Sequence, residues 1–305
     1  MSLTHSTRTG RAVAGLATAA LVLAACGGDP TESGGGDSDT IIVGSAAFSE
    51  SETTAEIYAQ ALEAEGISVE RKTQIESREA YIPALENGEI DLIPEYTGNL
   101  LLHFDPESTA TTPEEIDEGL DDALPDGLET LDEAQAENKD SYNVTSDLAE
   151  AEDLTSIGDL AKLGTVKVGG NPEFEKRPYG VPGLKKVYGV EDVDFVSISD
   201  SGGPATVKAL LDGDVDVANI YSTTPAIVAN DLVTLEDPEN LIAAQNVVPL
   251  ISEDKASDEV EDILDRVSAE LTTEDLLALN ERVDGDEKAA PATAAKEWLE
   301  EKGLI

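Results

Sequence analysis

Apolar positions recur along the chain with two alternating periods. "TIIVGS" (40–45) is a short β-branched run closed by Gly44, and "ETTAEIYAQALEAEG" (52–66) sets Ile57, Tyr58, Ala61 and Leu62 at helical spacing, with Gly66 as its stop. "ISVERKTQI" (67–75) alternates as a strand does, "SREAYIPALENG" (77–88) is a helix ending on Gly88, "EIDLIPEY" (89–96) is a buried strand, and "TGNLLLHF" (97–104) opens a further helix. The succession predicts a parallel α/β sheet. Residues 106–137 are acidic with weakly periodic leucines, and predict helices and loops finishing a first lobe. The scheme then restarts at "TVKVGGNPEF" (165–174) with a strand and a Gly-rich turn, followed by the helix "GVPGLKKVYG", the strand "DVDFVSI", the helix "PATVKALLDG" and the strand "DVDVANIY".

The second half repeats the first closely enough to align without gaps. "ALENGEIDLIPEYT" (84–97) lies over "ALLDGDVDVANIYS" (209–222), matching Ala-Leu, a Gly stop, an Asp and a terminal tyrosine. A generic helix–Gly–strand unit explains the glycine and the apolar positions, but does not require the tyrosine. Tyr96 and Tyr221 fall just past the carboxyl ends of their strands, where open α/β sheets bind ligands. Two such ends facing each other make a cleft, and Tyr142 in "NKDSYNV" falls between the lobes, where a crossing chain runs. Several tyrosine faces around a small volume attract a cation, and a quaternary ammonium, which has no N–H to donate, suits such a box best. Buried core packing is the alternative for each tyrosine singly.

Composition narrows the chemistry. "MSLTHSTRTGR" carries basic residues and no acid, "AVAGLATAALVLAA" is too short for a comfortable membrane span, and "LAAC" follows, so that residues 1–25 predict a secretory signal and Cys26 a lipidated first mature residue. Residues 26–39, rich in Gly, Ser and acid, predict a flexible tether, with the folded part beginning near Thr40. The 65 acidic residues against 19 basic ones give a formal charge of -46, a surface that repels nucleic acid and suits high salt, where screening removes self-repulsion. Past the signal there is one histidine, His103, and no cysteine besides Cys26. Cys–His nucleophiles, Cys/His zinc sites and disulfides are therefore not expected, and no nucleophile elbow or phosphate-binding loop is present. The expectation is a protein with no catalytic residues, no metal and no cofactor.

The blocks "GSAAFSE", "PALENGEIDLIPEYTG", "PEFEKRPYGVPGLKKVYG", "VDVANIYSTT" and the ending "AKEWLEEKGLI" resemble the substrate-binding proteins of ABC importers for glycine betaine, choline and related osmoprotectants, over residues 40–305. The resemblance implies a bilobal periplasmic-binding-protein fold of type II, two α/β lobes joined by two crossing hinge strands: 40–141 with 247–305 as lobe 1 and 142–246 as lobe 2. It implies a monomer that is lipid-anchored to the outer face of the cytoplasmic membrane and hands a small osmolyte to an ABC permease. Carried over by position, the aromatic cage falls on Tyr96, Tyr142 and Tyr221, with Asp140 as the acidic partner of the cation and Arg177 as the grip on a ligand carboxylate. Three positions depart from the family pattern. Ala46 stands where a lysine is common, Asn99 where a threonine is, and Gln245 or Asn246 where a further cage tyrosine is expected. Losing the lysine weakens the carboxylate subsite, which opens choline, carnitine, or a solute such as ectoine or proline, as the ligand. A secreted enzyme on the same scaffold and a plain surface lipoprotein are the readings from other classes.

Overall fold

The computed structural model describes residues 40–305. The signal, Cys26 and the tether lie outside the described residues. The chain begins with β1 (Ile41–Gly44), α1 (Ser49–Ala64), β2 (Val69–Lys72), α2 (Arg78–Glu86), β3 (Leu92–Tyr96), α3 (Thr97–Phe104), α4 (Pro113–Ala123) and β4 (Leu128–Thr130). It crosses to β5 (Asp140–Thr145), α5 (Ser146–Glu152), a 3-10 turn (Ile157–Leu163), β6 (Val166–Gly170), a second 3-10 turn (Pro172–Glu175), α6 (Val181–Tyr188), β7 (Val193–Ser197), α7 (Pro204–Leu211), β8 (Val217–Tyr221), α8 (Ala226–Ala229) and β9 (Leu232–Thr234). It returns through β10 (Val247–Ser252) and ends in α9 (Asp258–Glu270), α10 (Thr273–Asp284) and α11 (Pro291–Lys302).

Two five-stranded sheets result, ordered β2-β1-β3-β10-β4 and β7-β6-β8-β5-β9. Each departs from the wholly parallel sheet expected, because the strand arriving from the other lobe, β10 in the first sheet and β5 in the second, runs against its neighbours. β4, read from the sequence as helix or loop, is a short edge strand on β10. The second sheet already includes Asp140, which pairs with Tyr221, so the first crossing ends at Lys139, two residues before the boundary read from the sequence. The two crossings touch through an antiparallel bridge between Glu137 and Asn246.

Alternation along the strands gives the first sheet two apolar faces. Val43, Leu92 and Ile251 pack against Ile57, Tyr58, Leu264, Leu276 and Trp298 on one side. Ile93 and Leu250 pack against Ile82, Leu85, Leu100, Leu101 and Ile116 on the other. The aligned repeat has a structural cause beyond the apolar pattern. Asp91 accepts the Ile42 N–H on its carboxylate at 2.8 Å and donates its own N–H to the Ile42 carbonyl at 2.7 Å. Asp216 repeats both bonds with Lys167, at 2.8 and 2.9 Å. Gly88 and Gly213, with φ of 67° and 75°, end the preceding helices in the left-handed region that glycine adopts without cost. The repeat thus encodes the joint that sets the strand ending in each tyrosine beside its parallel neighbour, β1 in the first sheet and β6 in the second.

Candidate ligand-binding site

The carboxyl ends of β3 and β8 and the amino ends of α2 and α3 enclose a cleft of about 430 Å³. Tyr96 and Tyr221 both line it, and Phe48, just ahead of α1, sits between them with ring centroids 6.1 Å and 5.3 Å away. Across the cleft Phe174 and Tyr179 add two more rings, 6.1 Å apart. Asp140 also lines the cleft, 7% exposed, with its carboxylate held by the side-chain amides of Asn99 at 2.8 Å and Asn219 at 2.9 Å. Two neutral donors fix its orientation without cancelling its charge.

Two of the residues read from the sequence are not among those lining the cleft. Tyr142 shares a sheet face with Asp140 but lies two residues, roughly 7 Å, further down β5. There it is fully buried under Phe174, centroids 5.6 Å apart, and donates its hydroxyl to the Tyr179 carbonyl at 2.8 Å. Gln245 is equally buried and grips Asn99 twice, accepting its N–H at 3.0 Å and donating to its Oδ1 at 2.9 Å. It aims the Asn99 amide at Asp140 from the return crossing. Asn246 bonds to the Ala134 carbonyl.

Arg177 lines the cleft from the second lobe, with Nη1 on the Tyr179 hydroxyl at 2.8 Å and Nη2 on the Glu79 carboxylate of the first lobe at 3.1 Å. Arg78 faces it from the amino end of α2 and is clamped to Glu95 by Nε and Nη2, both at 2.7 Å. Pattern reading missed Arg78, Phe48, Phe174 and Tyr179. Only the "PEFEKRPYG" block hinted at the last two. Burial, and after it the charge of Glu50, holds the Tyr96 hydroxyl well above its usual range, and burial with Asp140 does the same to Tyr221. Tyr179 is pushed up to about 12 by burial and Asp140, against the pull of Arg177 and Arg78. The phenols stay neutral at working pH and keep electron-rich faces. Among the described residues no group of His, Cys, Asp and Glu is arranged to hold a metal, and no helix is long and apolar enough to cross a membrane.

The sequence model of the family described as "Substrate binding domain of ABC-type glycine betaine transport system" matches residues 39–301. The chain belongs to this family. Among curated family members, the glycine betaine-binding protein YehZ of Escherichia coli is 29% identical over 276 residues, covering 86% of this chain and 90% of that protein. The carnitine transport binding protein OpuCC of Listeria monocytogenes is 25% identical over 300 residues, 95% of each chain. Among solved family structures, apo YehZ superposes with a TM-score of 0.61 at 27% identity, over 87% of this chain and 99% of that one. A glycine betaine/carnitine/choline ABC transporter protein gives 0.67 at 22% identity, over 87% and 99%, a likeness of fold. The fold is the two-lobed type II binding-protein fold, with the crossings as its hinge.

Proposed function

We propose that this chain is the extracytoplasmic solute receptor of an ABC importer, and that it captures a quaternary-ammonium osmolyte such as glycine betaine, choline or carnitine in the interlobe cleft, without transforming it. The observation that carries the reading is the polarity of the cleft. Its lining combines the rings of Phe48, Tyr96 and Tyr221 and the Asp140 carboxylate with two guanidiniums, Arg78 and Arg177. A cationic head without N–H groups gains from ring faces and a fixed carboxylate at once. A carboxylate on the same ligand is matched by guanidinium. The cage in this reading takes Phe48, Phe174 and Tyr179 as ring faces where Tyr142 lies buried. Cys26 carries the lipid that tethers the protein to the outer face of the membrane, and the ligand-closed pair of lobes is what the permease recognises, on a monomer.

Calorimetric titration in molar salt against glycine betaine, choline, carnitine, ectoine and proline tests this. Saturable one-to-one binding of a quaternary ammonium is the expected result. Silence toward all five, from protein shown to be folded in that buffer, defeats it, and binding of ectoine or proline alone keeps the receptor but replaces the ligand.

A further inference from the structure

Arg78 is 6% exposed and lies at the first residue of α2, yet it reaches the cleft. Its charge is balanced by Glu95, which is fully buried and saturated. Glu95 accepts from Arg78 Nε and Nη2, from the Tyr81 hydroxyl at 2.9 Å and from the Tyr96 N–H at 2.9 Å. A guanidinium has five N–H donors in a fixed fork. The clamp uses Nε and Nη2, and Nη1 has no partner among the described residues. A rigid cation therefore stands at the wall of the cleft with one nitrogen unspent, where the amino end of α2 adds favourable potential for an anion.

Arg177 is placed differently. Its Nη2 is engaged by the Glu79 carboxylate and its Nη1 by Tyr179, which leaves Nε without a partner among the described residues, so a two-pronged grip on a ligand carboxylate competes with Glu79 or Tyr179. Reaching Arg78 Nη1 displaces no protein group. Ala46, also on the cleft wall, brings no charge from the first lobe.

We propose that Arg78 is the specificity-determining residue of the first lobe, donating from Nη1 to the carboxylate of a zwitterionic quaternary-ammonium ligand and so favouring a betaine over an uncharged-tail amine such as choline. This rests on the receptor reading above and deepens it. Glu95 and Tyr81 hold the fork rigid, so the donor is aimed before the ligand arrives and little ordering accompanies binding.

The test is calorimetry with glycine betaine and choline on the parent protein, on Arg78→Lys, which keeps a cation beside Glu95 but loses the fork, and on the double variant Arg78→Gln/Glu95→Gln, which leaves no lone buried charge. Circular dichroism establishes folding. In each folded variant the ratio of betaine to choline affinity is expected to fall at least about tenfold, equivalent to one decade in Kd. Equal losses for both ligands, or no loss, overturn the assignment while the receptor reading stands. A parent that binds neither ligand overturns the assignment, and silence toward carnitine, ectoine and proline as well overturns the receptor reading with it. A third arm needs no variant: the methyl ester of glycine betaine keeps the ammonium and loses the carboxylate charge. The parent is expected to bind it at least about tenfold more weakly than betaine, and equal binding removes any carboxylate donor, Arg78 included.

Discussion

Glu50, in the first turn of α1, accepts from four side chains that come from four parts of the chain. They are the Tyr96 hydroxyl at 2.6 Å, Asn138 of the first crossing at 2.7 Å, Thr223 after β8 at 2.6 Å, and Asn280 of α10. All four groups donate, so the site needs two acceptor oxygens. Glu50→Gln puts an amide N–H against two of them, and we expect a loss of about 1–3 kcal/mol, the cost of unsatisfied buried donors. At roughly 2–4 °C per kcal/mol, thermal melting reads this as a drop of several degrees. Tyr221 has the opposite character, since its ring faces the cleft and its hydroxyl has no hydrogen-bond partner among the described residues. Tyr221→Ala is expected to weaken a quaternary-ammonium ligand by about 1–2 kcal/mol, roughly 5–30-fold, through the lost cation–π face, with the protein still folded. Titration and circular dichroism on one sample separate the two effects. Tyr96 and Tyr221 were legible because the repeat marks them. Arg78 was not, because its meaning depends on Glu95, 17 residues away on another element, and "SREAY" alone reads as the start of a helix.

At the scale of elements, α3 and the return crossing are packed too closely for any side chain at Gly98. A Cβ there would stand 2.4 Å from the Ala244 carbonyl and 2.8 Å from the Gln245 amide. Gly98 also donates its N–H to that carbonyl at 3.1 Å. Gly98→Ala is therefore expected to push the crossing away and to cost about 1–3 kcal/mol, as overpacking does, and to loosen the Gln245 grip on Asn99. Melting and ligand affinity should fall together, unlike the Tyr221 case. Helices and strands with a full period were readable from the sequence, down to the glycine stops at Gly88 and Gly213. β4 was not, because three residues give no period and an acidic context suggests solvent. The reversed β5 and β10 were hidden for a different reason. Direction within a sheet is set by which lobe a strand comes from, and local pattern carries no trace of that.

Polar pairs that span the lobes of the whole molecule include Asn99 with Asp140, Glu50 with Thr223, Asn280 with the Thr223 carbonyl, and Glu79 with Arg177. Partial burial works against the charge on Glu79, but the Ser77 hydroxyl and Arg177 outweigh it and hold the carboxyl below its ordinary value. A depressed carboxyl contributes closure that is present above the ordinary glutamate value, about 4.3, and lost as pH falls through the lower folded value. The radius of gyration from small-angle scattering is expected to rise on acidification below about pH 4.3. Glu79→Gln should lack that step. The formal charge of -46 acts on every such contact at once. Between about 0.1 M and 1 M salt the screening length falls from roughly 10 Å to 3 Å, and melting temperature is expected to climb across that range. A protein whose melting point falls with added sodium chloride would contradict the reading of the surface.

The order of strands in the two sheets also fixes the order in which the molecule can be finished. All five strands of the second sheet lie in one uninterrupted stretch, 140–234. In the first sheet β4 reaches β3 only through β10, which begins at Val247. As the chain emerges from the ribosome, amino end first, the lobe encoded in the middle is complete while the lobe begun earlier still waits for its keystone strand. The cleft between them comes into being last, when β10 slots home and draws the return crossing against α3.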